Sequence, residues 1–221
     1  MTASEIRALA VRAGIAPGVG VLDLCCGVAG PGGLLARELG CDYLGIDASA
    51  SAVALARQRA GDLPCRFAVA QIPPLPNGPF DIVLVLETML AFKDKDALVR
   101  DIFPALRPGG RFAFTLEEGA ALTAAERAAM PDADTVWLTP IDDMAASLQR
   151  AGFVVDWQED HSGAHAATAG ALADAFAAHA GEIAAQVGRR ALDELLAAHR
   201  LWAEWLDAGR VRKLAVVARR D

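Results

Sequence analysis

The sequence predicts an α/β domain: a doubly wound parallel sheet with helices on both faces. Three observations carry this. Short apolar, β-branched runs alternate with alanine-rich stretches of helical character, as βαβ units require. The run 81–86 is apolar after its first residue, as a central strand buried on both faces must be. A turn of small residues follows the first predicted strand and opens a helix, which is where such sheets bind ligands. At 221 residues the chain can build one large core without disulfides or metals.

The elements follow in order. Strands are predicted at residues 19–24, 43–46, 66–70, 81–86, 111–115, 153–157 and 212–218. Ser49 can cap a helix over Ala50–Ala60, and Gly61 can stop it. Residues 73–79 form a stiff, proline-rich loop, and Pro108-Gly109-Gly110 turns the chain into the fifth strand. Thr139 and Pro140 read as the N-cap and first turn of a helix ending near Gly152. The last quarter differs. In residues 166–207, Leu172, Phe176, Ile183 and Val187, then Leu192, Leu195, Trp202 and Leu206, recur at helical spacing. Two helices broken near Gly188 are expected. They form an insertion within a single domain of residues 1–221, because the run 212–218 must return to the sheet.

Composition narrows the function. The net charge is −7, and an acidic domain repels phosphate backbones, so no nucleic-acid partner is expected. The four cysteines, Cys25, Cys26, Cys41 and Cys65, form no C-x-x-C pair and no zinc-ligand spacing, so no metal is expected. Reduced thiols and the lack of a secretion signal fit a cytoplasmic protein. The longest apolar run, 82–92, contains Glu87 and is too short to span a bilayer. No membrane partner is expected. Monomer and homodimer both stay open.

The chemistry concentrates at the first turn, Val21-Leu22-Asp23-Leu24-Cys25-Cys26-Gly27-Val28-Ala29-Gly30. Small residues let backbone approach a ligand, and the helix behind offers free N–H groups. Asp23, ending the strand, repels a pyrophosphate and favours a ligand with positive charge. Asp47 ends the second strand about 20 residues after the loop, where an acid can hold two ribose hydroxyls. The ligand so defined is a cationic nucleoside.

At these residues the chain resembles the class I S-adenosylmethionine-dependent methyltransferases. Val21–Gly30 looks like their first motif, and Asp47 matches their ribose-binding acid. Phe80-Asp81-Ile82-Val83 resembles their fourth-strand opening, Leu106-Arg107-Pro108-Gly109-Gly110-Arg111 the turn before the fifth, and Ala151-Gly152-Phe153 the approach to the sixth. The resemblance implies a seven-stranded sheet with an antiparallel last strand. It also implies S-adenosylmethionine as cofactor, S-adenosylhomocysteine as product and a small-molecule acceptor. On that pattern Asp23 sits near the methionine ammonium, and Asp47 with Ala48 takes the ribose. Gln71 and Ile72 flank the adenine, and the backbone around Leu86 and Glu87 closes the methionine side. Two departures stand out. Cys25 and Ala29 replace the first and third glycines of the motif, leaving Gly27. Gln71 or Ile72 stands where many relatives carry an acid.

Methyl transfer needs a base only if the acceptor arrives protonated. Glu87, Glu117, Glu118, Glu159 and Asp160 follow the fourth to sixth strands, whose ends converge on one edge. This acidic rim is expected to favour an amine, with Glu87 or His161 taking its proton. His165 follows in the same stretch, and no helix predicted from the sequence joins it to His161. Trp137, Met89 and Phe92 are candidate pocket walls, whereas Trp202 and Trp205 read first as helix anchors. The helical insertion serves as a lid or as a dimer surface. Two rival functions remain: a nicotinamide-dependent oxidoreductase using Gly27, Gly30 and Gly32, and an inactive S-adenosylmethionine-binding sensor or partner subunit.

Overall fold

A computed structural model describes all 221 residues. Its strands are β1 (Gly20–Leu24), β2 (Asp42–Asp47), β3 (Cys65–Val69), β4 (Phe80–Val85), β5 (Leu106–Glu118), β6 (Phe153–Asp160) and β7 (Arg212–Arg220). They form one sheet in the order β3-β2-β1-β4-β5-β7-β6. β1 to β5 pair in parallel. β7 runs antiparallel to both β5 and β6, as expected of the last strand. The chain builds outward from β1 in one direction and resumes at β4 on its other side. The crevice for a ligand therefore falls at the carboxyl end of β1.

The strand periodicity of two sorts side chains onto two faces. Leu22, Leu24, Val83, Val85, Phe112, Phe114, Leu214 and Val216 pack with α4 (Lys95–Ala105) and α6 (Ile141–Ala151). Val21, Tyr43, Ile82, Leu84, Ala113, Ala215 and Val217 pack with α1 (Ala3–Ala13) and α2 (Gly30–Leu39). Thr115, Glu117 and Lys213 continue this second set along β5 and β7, so the alternation turns these polar side chains inward. The remaining early helix, α3 (Ala50–Ala60), is capped by Ser49 Oγ, which accepts from the Ala52 N–H at 3.2 Å.

Two expectations are revised. Thr139 does not cap α6. It bridges to Glu118, and Pro140 takes the cap position, with no side-chain bond to the helix. The helical segment before β7 starts earlier and breaks twice. After a short α5 (Ala124–Ala129), α7 (Ser162–Ala178), α8 (Ala180–Val187) and α9 (Arg189–Asp207) follow in succession, divided at His179 and at Gly188. The extra break at His179 lies in an alanine-rich run where apolar spacing says little about continuity. Ala166, Trp205 and Leu206 of α7 and α9 share a third apolar cluster with Leu122, Met130, Val136 and Leu138. No helix is long and apolar enough to cross a membrane.

Candidate active site

The loop after β1 shows why glycine suits it. Cys25, Gly27 and Ala29 all adopt left-handed backbone, with φ of 59°, 54° and 56°. A non-glycine residue there costs on the order of 1–2 kcal/mol. The fold holds the shape by hydrogen bonds: Cys26 N donates to Ile46 O at 3.0 Å and Ala29 N to Cys26 O at 2.8 Å. Gly27 N donates to Asp47 Oδ2 at 2.9 Å. The two departures from the glycine pattern therefore keep its geometry at some cost in strain. Burial, with Asp47 and Asp23 nearby, pushes the Cys25 thiol up to about 11. Burial and the same two acids push Cys26 up to about 12. Both stay protonated and act as small packing groups rather than nucleophiles.

Asp47 also accepts from Ser49 N at 2.8 Å through Oδ1. Each carboxylate oxygen keeps a further lone pair. A Cβ built on Gly27 would meet nothing within 4 Å, so open space lies before the loop. Ala48 and Gln71 are exposed at the ends of β2 and β3, Ile72 is half-buried, and Leu86 is buried at the end of β4. A half-buried carboxylate, open backbone and these flanking residues fit an adenosyl ligand. Asp23 lies deeper than the sequence implies. It is 3% exposed and accepts a hydrogen bond from the buried Tyr43 hydroxyl at 2.6 Å. Burial pushes it up to about 7, against the pull of the Tyr43 hydrogen bond.

A second group of polar side chains meets past β4. Glu87 is held in left-handed backbone, φ 61°, and its N–H donates to the buried Thr115 Oγ1 at 2.7 Å. Such strain at a non-glycine residue is a mark of a functional position. Its carboxylate lies 3.0 Å from Lys213 Nζ and 3.7 Å from His165 Nε2. Lys213 also donates to Glu117, its direct cross-strand neighbour. Lys213 is 1% exposed and Glu117 6%. Burial opposes the Lys213 charge, yet Glu117 and Glu87 hold its ammonium above the usual lysine range. Burial likewise opposes the Glu87 charge, and Lys213, with the Met1 ammonium 3.8 Å from Oε2 and His165, overcomes it, holding Glu87 below the usual carboxylate range. Burial and Lys213 lower His165, so it is neutral at pH 7. Glu87, Glu117 and His165 join Leu90, Trp202 and Leu206 around a cavity of about 170 Å³. The ligating atoms of the three polar groups lie within 4.8 Å of one another, a spacing that suits a cation. The Lys213 ammonium already supplies one.

The acidic rim thus divides. Glu87 and Glu117 line the cavity. Glu118 pairs with Arg212 at 2.8 Å, and Asp160 accepts from Ser162 N at the start of α7. His161 is not brought to the cavity. It lies between Glu159, at 3.2 Å, and Glu5 of α1, at 3.7 Å. Helical rise places His165, one turn on, beside Glu87 instead. Trp137 lies away from the cavity, covered by Lys93 and Arg127 at 4.7 and 4.8 Å. Met89 is in the main core and Phe92 packs against it. Lys213 escaped the sequence reading because its partners are distant in the chain. One signal was available: it is among three lysines in an arginine-rich sequence and sits inside an apolar strand.

Comparison with known proteins bears on the fold and on the first half of the chain. Residues 21–110 match a family model described as a methyltransferase domain. Over 99 residues the chain is 36% identical to phosphoethanolamine N-methyltransferase 1 of Arabidopsis thaliana, covering 43% of this chain and 20% of that protein. The chain spans about a fifth of the length of the phosphoethanolamine N-methyltransferases it matches. In fold it is similar to the cyclopropane synthase MmaA2 from Mycobacterium tuberculosis, with a TM-score of 0.87 at 15% identity, covering 98% of this chain and 83% of that one. It also superposes on Haemonchus contortus phosphoethanolamine N-methyltransferase 2 in complex with phosphomonomethylethanolamine and S-adenosylhomocysteine. There the TM-score is 0.84 at 21% identity, covering 98% of this chain and 52% of that one. The fold is the doubly wound sheet shared by these solved structures. Over residues 21–110 the chain is thus similar to a methyltransferase domain, as its resemblance to the S-adenosylmethionine-dependent methyltransferases implies.

Proposed function

We propose that the protein transfers a methyl group from S-adenosylmethionine to the nitrogen of a small amine. The observation that carries this is the half-buried Glu87–His165 pair in a small cavity, one residue beyond the Leu86 end of β4. Asp47 and Ala48 would hold the ribose, Gln71 and Ile72 the adenine, and the loop Cys25-Gly27-Ala29 would pass beneath the cofactor. Asp23 would act on the methionine ammonium from below the loop. When bound, S-adenosylmethionine supplies a methyl group already activated on a sulfonium.

The chain's task is then alignment, exclusion of water and removal of one proton. His165 is neutral at pH 7 and presents Nε2 toward Glu87. That leaves Nδ1 to take the amine's proton. The Glu87 carboxylate stabilises the imidazolium that results, as a buried acid does for a catalytic histidine. Glu87 is the orienting partner in this scheme, and His165 takes the role first considered for His161.

Calorimetric titration with S-adenosylmethionine, S-adenosylhomocysteine and a nicotinamide cofactor tests the first half. Micromolar binding of the adenosyl ligands alone is expected. Absence of adenosyl binding would overturn the reading. The second half is tested by a methylation screen with amines and phenols. Turnover confined to neutral phenols, and untouched by Glu87→Gln, would refute the amine acceptor. Adenosyl binding with no turnover on any acceptor would leave the sensor reading in its place.

A further inference from the structure

We infer that the groove enclosed by α1, α2 and α3 is a binding site for an alkyl carboxylate, an apolar chain carrying one planar anionic head. The inference is independent of the amine reading, because the groove shares no residue with the acceptor cavity.

The groove holds about 490 Å³, within the range of about 300–1,000 Å³ usual for small-molecule sites. Its apolar walls are Ile6 of α1, Leu34 of α2, Ala56 and Ala60 of α3 and Phe67 of β3. Each methylene of a chain laid against them removes apolar surface from water. The space is kept open at a cost. α2 carries three glycines, and glycine weakens a helix relative to alanine. Packing explains Gly32, because a Cβ there would overlap the Tyr43 ring. Packing does not explain Gly33, where a Cβ would meet no atom within 4 Å. Gly33 lines the groove, and its missing side chain leaves room for an occupant.

Charge selects the head. Arg37 and Arg59 also line the groove, and both are exposed. Neither guanidinium has an ion-pair partner, because the acids around them are engaged or apart. Glu38, next to Arg37, is held by Arg7 at 2.8 Å, and Asp42 is held by Arg66 at 2.9 Å. Glu5 of α1 is turned to Thr2 N and His161. Asp62, three residues beyond Arg59, is exposed and pairs with neither. A third cation, Arg57, donates to Phe67 O at 2.7 Å on the same wall. The guanidinium fork matches a carboxylate in two parallel hydrogen bonds. A hydroxyl head gains only a neutral hydrogen bond, and an ammonium head is repelled.

The test is calorimetry on the full chain with three probes of equal length: octanoate, n-octanol and octyltrimethylammonium. Octanoate is expected to saturate one site per chain. It should bind roughly 10- to 150-fold more tightly than n-octanol, the worth of a hydrogen bond to a charged group, and octyltrimethylammonium should bind more weakly still. Arg37→Gln and Arg59→Gln should each weaken octanoate about tenfold and leave n-octanol unchanged. Gly33→Leu fills the groove with a better helix former. It should abolish binding of both probes while the urea midpoint is kept. Should that midpoint fall, Ala60→Leu blocks the groove from α3 and should give the same loss.

Equal affinity for octanoate and n-octanol would overturn the inference, as would arginine variants that bind octanoate like wild type. Octanoate binding untouched by both filling variants would place the ligand elsewhere and overturn it too. Flotation with vesicles of phosphatidylcholine and phosphatidylglycerol supplies a further arm. Attachment to the vesicles without binding of free octanoate would mean that the arginines meet a lipid surface, and the site would fall. Neither cofactor nor acceptor enters these measurements, so failure of the proposed function would leave them unchanged.

Discussion

Replacing Tyr43 with phenylalanine should destabilise the protein more at pH 8 than at pH 5. Tyr43 is fully buried, and its hydroxyl donates to Asp23 Oδ2 at 2.6 Å. Burial raises Asp23 from 3.8 to about 7. The unfolded chain therefore ionises this group first as the pH rises, while the folded chain keeps its proton until about pH 7. Between those values the unfolded state binds fewer protons, so stability falls with rising pH and then levels off. The loss is on the order of 4 kcal/mol, at about 1.4 kcal/mol per pH unit. Above pH 7 the Tyr43 hydroxyl donates to a buried anion, a bond worth about 1.5–3 kcal/mol; at pH 5 it serves a neutral acid, worth about 0.5–1.5 kcal/mol. Tyr43→Phe should thus lower the unfolding free energy by about 1.5–3 kcal/mol at pH 8 and by about half as much at pH 5. The assay is urea denaturation of both proteins at pH 5, 6, 7 and 8, scored as the difference between them, which cancels the other carboxylates. A penalty independent of pH would show that Asp23 ionises in the ordinary range, and the raised value would be wrong.

Other consequences are open to direct measurement. Thr115→Val removes the acceptor for the Glu87 N–H and should cost about 1–3 kcal/mol in denaturant unfolding. It should lower kcat while S-adenosylhomocysteine binding is kept; unchanged kcat would separate Glu87's backbone from function. The acid limb of the kcat profile should lie below the ordinary histidine value of 6.5, because burial lowers His165. His165→Gln should abolish that limb, and a limb that survives belongs to another group. Glu126, bonded to Arg210 and to its own N-cap Thr123, is held down to about 2. Its folded value lies below the unfolded one, so its contribution is present above about pH 4.5 and is lost as pH falls toward 2. Glu126→Gln should therefore flatten the stability profile in that window, and an unchanged profile counts against the pairing. Asp47→Ala deletes the acceptor for Gly27 N and Ser49 N and should weaken adenosyl binding about 10- to 150-fold in calorimetry.

Much of the frame was legible in the chain because it rests on local pattern. The alternation of Leu22 and Leu24 with Val21, or of Val83 and Val85 with Ile82 and Leu84, is a statement about pleat and burial that needs no coordinates. The same holds for the Ser49 cap and for the small-residue turn between β1 and α2, where left-handed backbone at Cys25, Gly27 and Ala29 follows from a tight strand-to-helix connection. The positions of Asp47 and Glu87 followed from strand ends, which a parallel sheet gathers on one edge. The second break at His179 was not legible, because alanine-rich helices carry too little apolar contrast to mark where one stops.

The sequence by itself determined the sheet's strands, the small-residue loop after β1 and the acids at the strand ends, because each is encoded within a few neighbouring residues. Only the tertiary structure decided how those acids divide. Register between antiparallel β5 and β7 sets Lys213 opposite Glu117. A turn of α7 carries His165 to Glu87 and leaves His161 against Glu5 and Glu159. Burial turns Asp23, an acid at a strand end, into a group with its pKa pushed up to about 7. Charge compensation and desolvation are properties of three-dimensional neighbours. Residues 87, 117, 165 and 213 become neighbours only when the last strand returns to the sheet.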